Sequence, residues 1–596
     1  MPSYKAPIRE TLFLLNDVFE ISRYAEVPGF ADLTPETLQA MLGEAAKLAE
    51  DVVAPLNRIG DVEGCQRHPD ASVTTPKGFR EAYQQLVAGG WVGMSFPEEF
   101  GGQGLPETLS GIVQEFLASA NLAFCMYPGL TQGFMSALLA HASADMKAAY
   151  LPDIIAGKAT GTMNLTEAHA GSDVGLSYAR ARKEADGSYR VTGSKVFISA
   201  GEHDLVENIL HLVLARIEGA PAGSKGLSLF MVPKLMPSAN GSSRERNSVS
   251  CGSIEKKMGI HGNCTCVLNF DEAAAWLIGE ENRGLSLLFT MMNHARMFVG
   301  VMGVALAEVA YQNAAAYAKE RLQGRSLSGP KFPQKPADPI IVHGDVRRML
   351  MTIRAFTEAG RALIISANLR HDVAMRKNDP AALQDAEDHL ALLTPVIKAF
   401  STDRGFLSTV LAQQIYGGHG YIAEDGMEQF VRDSRVTQIY EGTNGIQALD
   451  LVGRKLGMND GRAVRTYFSE VESFLREHAE DPGLTPYVTR TREALAHLLE
   501  ATQWLAKNGA KDRDLVGCGA WDYLHLFGLV ALAHMWCRMA EAAQRKLKEG
   551  ADDPHLKAKL LTGRFFVDRM LPETQFRLAC VKAGGAGAME MPAELL

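Results

Sequence analysis

Residues Gln414 to Asn444 read QIYGGHGYIAEDGMEQFVRDSRVTQIYEGTN. A paired glycine, Gly417-Gly418, follows a long apolar-periodic segment, and a single carboxylate, Glu441, stands further on between Tyr440 and Gly442. Glycines at the end of a helical pattern predict a C-cap and turn, because glycine takes the left-handed conformation at no steric cost. A glutamate is ordinarily a surface or capping residue, so the chemistry of Glu441 has to be judged from its company.

Upstream, Leu165–Asp173 reads LTEAHAGSD and Val191–Gly201 reads VTGSKVFISAG. The first offers a glycine-serine turn whose N–H groups and hydroxyl can approach phosphate oxygens, although such a turn by itself is more often an ordinary strand turn. Both lie in Gly161–Phe270, a region rich in Gly, Ser, Thr and Val with short runs such as YRVTGSKVFIS, ILHLVLARI, LSLFMVP and TCVLNFD. That pattern predicts a β domain, with Met236–Ser248 expected as a loop between strands. On either side the periodicity is helical. Thr34 is a candidate N-cap of the segment LQAMLGEAAKLAEDVVAPLNRIG, which Pro55 is expected to end. From Leu285 the apolar repeat is long enough for a bundle-interior helix, and after the loop GRSLSGPKFPQKPADP two or three further long helices are implied. A second helical set from Gly461 onward is expected as a separate appended domain.

At 596 residues the chain exceeds one ordinary core. Its 60 basic and 69 acidic residues give a net charge of −9, which leaves no footprint for nucleic acid. Eight sparse cysteines lack the spacing of a disulfide framework, so reduced thiols and a cytoplasmic location are expected. Cys264 and Cys266 are read as neighbours on one strand face rather than half a metal site, and no metal is expected. The N-terminus lacks a signal-peptide pattern. The apolar run Leu524–Trp536, about 13 residues, is short of the roughly 20 that span a bilayer, so no transmembrane segment is expected.

Taken in this order, the motifs resemble those of the acyl-CoA dehydrogenases, a family of flavoproteins, over roughly residues 1–455. The resemblance implies an α+β fold with an N-terminal α-helical domain (1–158), a central β-barrel-like domain (159–280) and a four-helix bundle (281–457), here followed by a C-terminal helical extension (458–596). It implies FAD as cofactor. Met163, Leu165, Thr166, Gly171, Ser172, Phe197 and Ser199 in the β domain match positions that meet the flavin, as do Arg321, Gln323, Gln414, Gly417, Gly418, Thr443 and Asn444 in the bundle. Ser172, Arg296 and Gly442 match positions beside the acyl-CoA. Phe197 stands where many members have tryptophan and Ser199 where many have threonine, which keeps an aromatic plane and a hydroxyl. Gly324 replaces an aromatic residue common after Gln323.

Glu441 stands in the register of the family's base, which removes the α-proton of the thioester while flavin N5 accepts the β-hydride. A carboxylate in a water-poor site is a stronger base, and the Glu441 N–H with a flavin ribityl hydroxyl is expected to stabilise the developing enolate-like charge. Some members carry the base just before the arginine matched by Arg296; Ala295 occupies that place and cannot act. His261, His294 and His419 are read as packing residues.

The length, the opening YKAP, the segment KMGIHGN and the extension look most like two groups of long bacterial members. One acts on 3-methylmercaptopropionyl-CoA and the other on fatty acyl-CoA. The expected reaction is α,β-dehydrogenation of 3-methylmercaptopropionyl-CoA or a short- to medium-chain acyl-CoA to the trans-2-enoyl-CoA, with long-chain fatty acyl-CoA β-oxidation as the alternative. Family analogy implies an electron-transfer flavoprotein as acceptor and a homodimer or dimer of dimers. The rivals from other classes are an acyl-CoA oxidase using O2 and a non-catalytic CoA-binding or scaffold protein.

Overall fold

The computed structural model describes residues 2–236, 245–509 and 511–596. It divides into two compact units, one holding the sheet (Glu44–Leu105 and Val113–Phe298) and one helical (Met1–Gly43, Pro106–Ile112 and Val299–Leu596).

Seven strands build the sheet: β1 (Ala159–Asn164), β2 (Arg180–Lys183), β3 (Tyr189–Ser199), β4 (Asn208–Ile217), β5 (Leu227–Pro233), β6 (Val249–Ile254) and β7 (Thr265–Ile278). Their order is β6-β7-β3-β2-β4-β1, and β5 pairs with both β7 and β4. Five strands, β7-β3-β2-β4-β5, therefore close on themselves, which removes most exposed edges. β1 and β2 run parallel to β4, and the other pairs are antiparallel. The expected alternation appears in β3, whereas β5 and all but the last two residues of β4 are buried throughout or nearly so, as strands covered on both faces are. Of the expected loop Met236–Ser248, a short ribbon pairs Leu235-Met236 with Glu245-Arg246, and residues 237–244 lie outside the described residues.

In the helical unit, α1 (Gly284–Glu320, of which the part from Val299 belongs here), α2 (Gly344–Arg376) and α3 (Pro380–Ile415) are the long helices expected from the apolar repeats. Asp379 caps α3 by accepting from the N–H of Ala381 (3.0 Å) and Ala382 (3.3 Å), with Pro380 in the first turn. α1 and α3 meet backbone to backbone: a Cβ on Gly405 would lie 2.3 Å from the Gly303 carbonyl oxygen. α4 (Met427–Arg435) and α5 (Asn444–Asp450) follow. The extension contributes α6 (Arg462–Glu477), α7 (Thr485–Gly509), α8 (Arg513–Lys548), α9 (Pro554–Phe565) and α10 (Glu573–Ala583).

The extension, expected as an appended helical domain, packs on the bundle. It belongs to the same compact unit as the bundle, because α8 is apolar around most of its circumference and packs on α2, α3 and α5 as well as on its own neighbours. The run Leu524–Trp536 is the middle of this helix. By length and composition alone, α1, α8 and Leu122–His141 could each cross a membrane; most of each apolar window is buried in the protein.

Candidate active site

The sheet unit carries the first group of singled-out residues. Between Lys195 and Ile198 the register of β3 against β7 slips by one residue, so β3 bulges at Val196–Phe197. Phe197 takes φ +60°, a conformation costing a side-chain-bearing residue about 1–2 kcal/mol, and the residue stands 62% exposed. Bulges re-aim side chains in this way.

Facing the bulge, the loop Leu165–Ala179 is clipped to β3 by a buried ion pair. Lys195 Nζ, with no solvent exposure, donates to Glu167 Oε1 (2.8 Å), the Leu165 carbonyl (2.9 Å) and Ser177 Oγ (3.1 Å). Glu167 also accepts from the N–H of Tyr178 (2.7 Å) and Ala179 (3.1 Å) and from the Ser177 hydroxyl, and Val196 N–H donates to the Thr166 carbonyl (2.9 Å). Burial raises the Glu167 pKa, but Lys195 and these hydrogen bonds outweigh it and hold the carboxyl below its ordinary value.

Around this clip Gly171 and Ser172 are exposed, Met163 lies on β1 beside Leu212, and Leu165 is buried. The hydroxyls of Thr166, Ser172 and Ser199 have no protein partner among the described residues. An uncovered aromatic face, free hydroxyls and a glycine turn fit the ring and phosphates of a flavin dinucleotide. Phe197→Gly tests this fit. Glycine relieves the left-handed strain, and little ring burial is lost, so stability without flavin is expected to change by less than about 1 kcal/mol. FAD retention is expected to fall by roughly 3–10-fold; thermal unfolding and the FAD remaining after gel filtration report the two effects.

Arg296 is buried, with its guanidinium 5.9 Å from the Phe289 ring centroid, and Ala295 is buried beside it. His294 is pushed down to about 4 by burial, and both ring nitrogens of His261 contact backbone carbonyls, of Asp61 (2.9 Å) and Lys257 (2.8 Å). Among the described residues no cluster of three or more His, Cys, Asp or Glu is placed to hold a metal ion.

The helical unit carries the second group. α3 ends at Ile415, and Gly417 turns the chain at φ +59°; Gln414, Gly417 and Gly418 are exposed, and a Cβ on either glycine would meet nothing within 4 Å. Thus the backbone angle explains Gly417, while nothing within the unit demands Gly418. Arg321 and Gln323 lie exposed just beyond α1. The proline-rich loop returns to them: Gln323 N–H donates to the Asp338 carbonyl (3.0 Å), and the Asp338 carboxylate gathers the N–H groups of Ser326 (3.0 Å) and Phe332 (2.8 Å).

Glu441 and Gly442 follow with consecutive positive φ, +58° and +83°. The turn is pinned from inside. Gln447 Nε2 donates to the Glu441 carbonyl (3.1 Å), and the fully buried Lys398 Nζ donates to the Gly442 carbonyl (2.8 Å) and to Asn444 Oδ1 (2.8 Å). A Cβ on Gly442 would meet Gln447 Nε2 at 2.5 Å at a φ of +83°, so a side chain there would be strained and would displace the amide that holds the Glu441 carbonyl.

Two residues expected at the cofactor are otherwise engaged. Asn444 is buried and turns its amide inward, its Nδ2 donating to Ala399 O (3.2 Å), Thr402 Oγ1 (3.0 Å) and Asp403 Oδ1 (2.7 Å). Thr443 caps α5 by accepting from Ile446 N–H (3.3 Å). Lys195, Glu167, Lys398, Asp403 and Gln447 were not anticipated. A signal existed for the lysines: Lys195 falls on the inward register set by Val191 and Gly193, Lys398 interrupts the apolar run VIKAF, and a buried lysine requires a partner.

Comparison with known proteins identifies the family. Family models described as acyl-CoA dehydrogenase N-terminal, middle and C-terminal domains match residues 35–158, 162–273 and 282–456, and one described as acetyl-CoA dehydrogenase C-terminal like matches 467–592. The chain is 39% identical over 572 residues to 3-methylmercaptopropionyl-CoA dehydrogenase of Ruegeria pomeroyi, covering 96% of each. It is 32% identical over 594 residues to a broad-specificity linear acyl-CoA dehydrogenase of Mycobacterium tuberculosis, again covering 96% of each. Its fold is similar to that of an acyl-CoA dehydrogenase complexed with FAD from Bacillus anthracis, with TM-score 0.75 and 22% identity over 96% of this chain and 91% of that one. The chain belongs to the acyl-CoA dehydrogenase family, whose reaction is the FAD-dependent α,β-dehydrogenation of an acyl-CoA thioester.

Proposed function

We propose that the substrate is 3-methylmercaptopropionyl-CoA or another short- to medium-chain acyl-CoA, and that Glu441 is the base that takes its α-proton. The observation that carries the choice of base is the turn itself. Glu441 is a non-glycine residue in the left-handed region, followed by a second left-handed residue, and Lys398 and Gln447 hold both carbonyls from within. Strain of this kind persists where surrounding groups over-determine it, and it clusters at functional sites.

FAD, when bound, supplies the two-electron acceptor that receives the β-hydrogen as hydride. The protein's own part is the α-proton. The Glu441 carboxylate accepts it and becomes a neutral acid, which must lose the proton to solvent before the next turnover. The Glu441 N–H donates to the thioester oxygen as charge develops there. Lys398 and Gln447 keep the turn from relaxing, so the base need not be reoriented in each cycle. Ala295 offers no competing base.

The substrate proposal is supported by the 39% relative, whose printed name is that of a 3-methylmercaptopropionyl-CoA dehydrogenase and whose length is matched nearly end to end. An electron-transfer flavoprotein as acceptor, a homodimer or dimer of dimers, a place in fatty-acid β-oxidation and a cytoplasmic location complete the proposal.

Anaerobic titration of the purified holoenzyme with 3-methylmercaptopropionyl-CoA and straight-chain acyl-CoAs of increasing length tests it. Flavin absorbance is expected to bleach most readily with the short substrates. Preference for long chains would replace the substrate assignment, and rapid reoxidation by O2 alone would favour an oxidase.

A further inference from the structure

We propose that the C-terminal extension holds the Glu441 turn in register through one carboxylate, Asp403, which His525 and Trp521 engage from α8; this rests on the assignment of Glu441 as the base. Asp403 lies on α3, and its two oxygens divide their work. Oδ1 accepts from Gln438 Nε2 (2.7 Å) and Asn444 Nδ2 (2.7 Å), residues three positions before and three after Glu441. Oδ2 accepts from His525 Nε2 (2.8 Å) and Trp521 Nε1 (3.1 Å), one turn apart on α8. A carboxylate with two strong donors on each oxygen is filled and has a fixed orientation. The donors flanking Glu441 and the donors of the extension are thus coupled through a single rigid acceptor.

The extension's donors are themselves braced. The Trp521 and His525 rings lie 4.1 Å apart between centroids, and the Arg577 guanidinium covers Trp521 at 4.6 Å. Arg577 is held by Asp522 and Glu573, both at 2.7 Å, and Glu573 reaches back to Arg404, the residue after Asp403, at 2.6 Å. His525 is buried, with Phe400 edge-on at 5.4 Å. His525 and Trp521 are positioning residues: they act on the turn through Asp403 and carry none of the chemistry.

A merely structural cap would change stability without changing proton abstraction, and that difference is the test. The double variant His525→Leu/Trp521→Phe removes both N–H donors while keeping apolar volume, and His525→Gln returns an N–H near the Nε2 position. The holoenzymes are compared by FAD content, by KM and kcat, and by the rate at which an acyl-CoA exchanges its α-hydrogens with D2O under anaerobic conditions. The double variant is expected to keep its FAD and a KM within about 3-fold while kcat and α-exchange fall together by roughly 10–100-fold, the range for a misplaced base; His525→Gln should recover most of the loss. Wild-type kcat and exchange in the double variant would overturn the proposal. If the double variant does not fold, Trp521→Phe alone decides, with a fall of about 3–10-fold expected and an unchanged exchange rate contradicting it. Glu441→Gln run in parallel separates the two claims: an active Glu441→Gln removes the base assignment, whereas an inactive one beside a fully active double variant removes only the role of the extension.

Discussion

Glu441→Gln is expected to lower acyl-CoA oxidation by about 10²–10⁴-fold, the range for loss of a positioned general base, while FAD and acyl-CoA remain bound. The two sides of this expectation have separate causes. Glutamine has the size of glutamate but cannot take the α-proton. The turn, by contrast, is fixed through main-chain carbonyls, with Gln447 on the Glu441 carbonyl and Lys398 on that of Gly442, and the substitution alters neither. Steady-state assay with an artificial electron acceptor, acyl-CoA titration and thermal unfolding measure the three quantities. A variant that loses FAD or unfolds early would point to a structural role for Glu441.

Glu167→Gln is expected to destabilise the sheet unit by about 3–5 kcal/mol, because it strands Lys195, a charge with no exposure, without its anion. The same change frees the loop that presents Thr166 and Ser172 from the bulge that presents Phe197, so FAD binding should weaken along with stability. Adding Lys195→Met to Glu167→Gln removes the orphaned charge and is expected to restore most of the stability but not the FAD affinity. The pH dependence has a definite sign. The folded-state pKa of Glu167 lies below the ordinary value of 4.5, so its contribution is present above that value and is lost as pH falls through the lowered one. The acid-side dependence of thermal unfolding should therefore be weaker in Glu167→Gln/Lys195→Met, which cannot titrate there, than in the wild type. Denaturation curves of the three proteins at neutral and acidic pH check both statements.

Much of this was legible in the residues, and the exceptions share a cause. The turn at Gly417 could be read because glycine marks a backbone angle locally, whereas the left-handed conformation of Glu441 before Gly442 came only from the structure. The long helices could be read because their periodicity is local too. The bulge at Phe197 could not, since a register slip is a property of β3 and β7 together and leaves no mark in either strand alone. Lys398 and Asp403 were taken as part of a helical run, because their partners, Gly442, Asn444, His525 and Trp521, lie far along the chain. Asn444 was assigned outward to the cofactor for the same reason: its inward bonds need α3 beneath it. The extension could be read as an appended helical domain, but its apolar faces do not say which surface they cover, and α2, α3 and α5 are part of that surface.

The central claim, that Glu441 removes the α-proton, is tested most directly by anaerobic single-turnover mixing of the wild-type and Glu441→Gln holoenzymes with 3-methylmercaptopropionyl-CoA, followed by flavin absorbance. The wild type is expected to bleach, and Glu441→Gln to stay yellow at a substrate concentration that saturates it. Bleaching of Glu441→Gln at the wild-type rate would contradict the account.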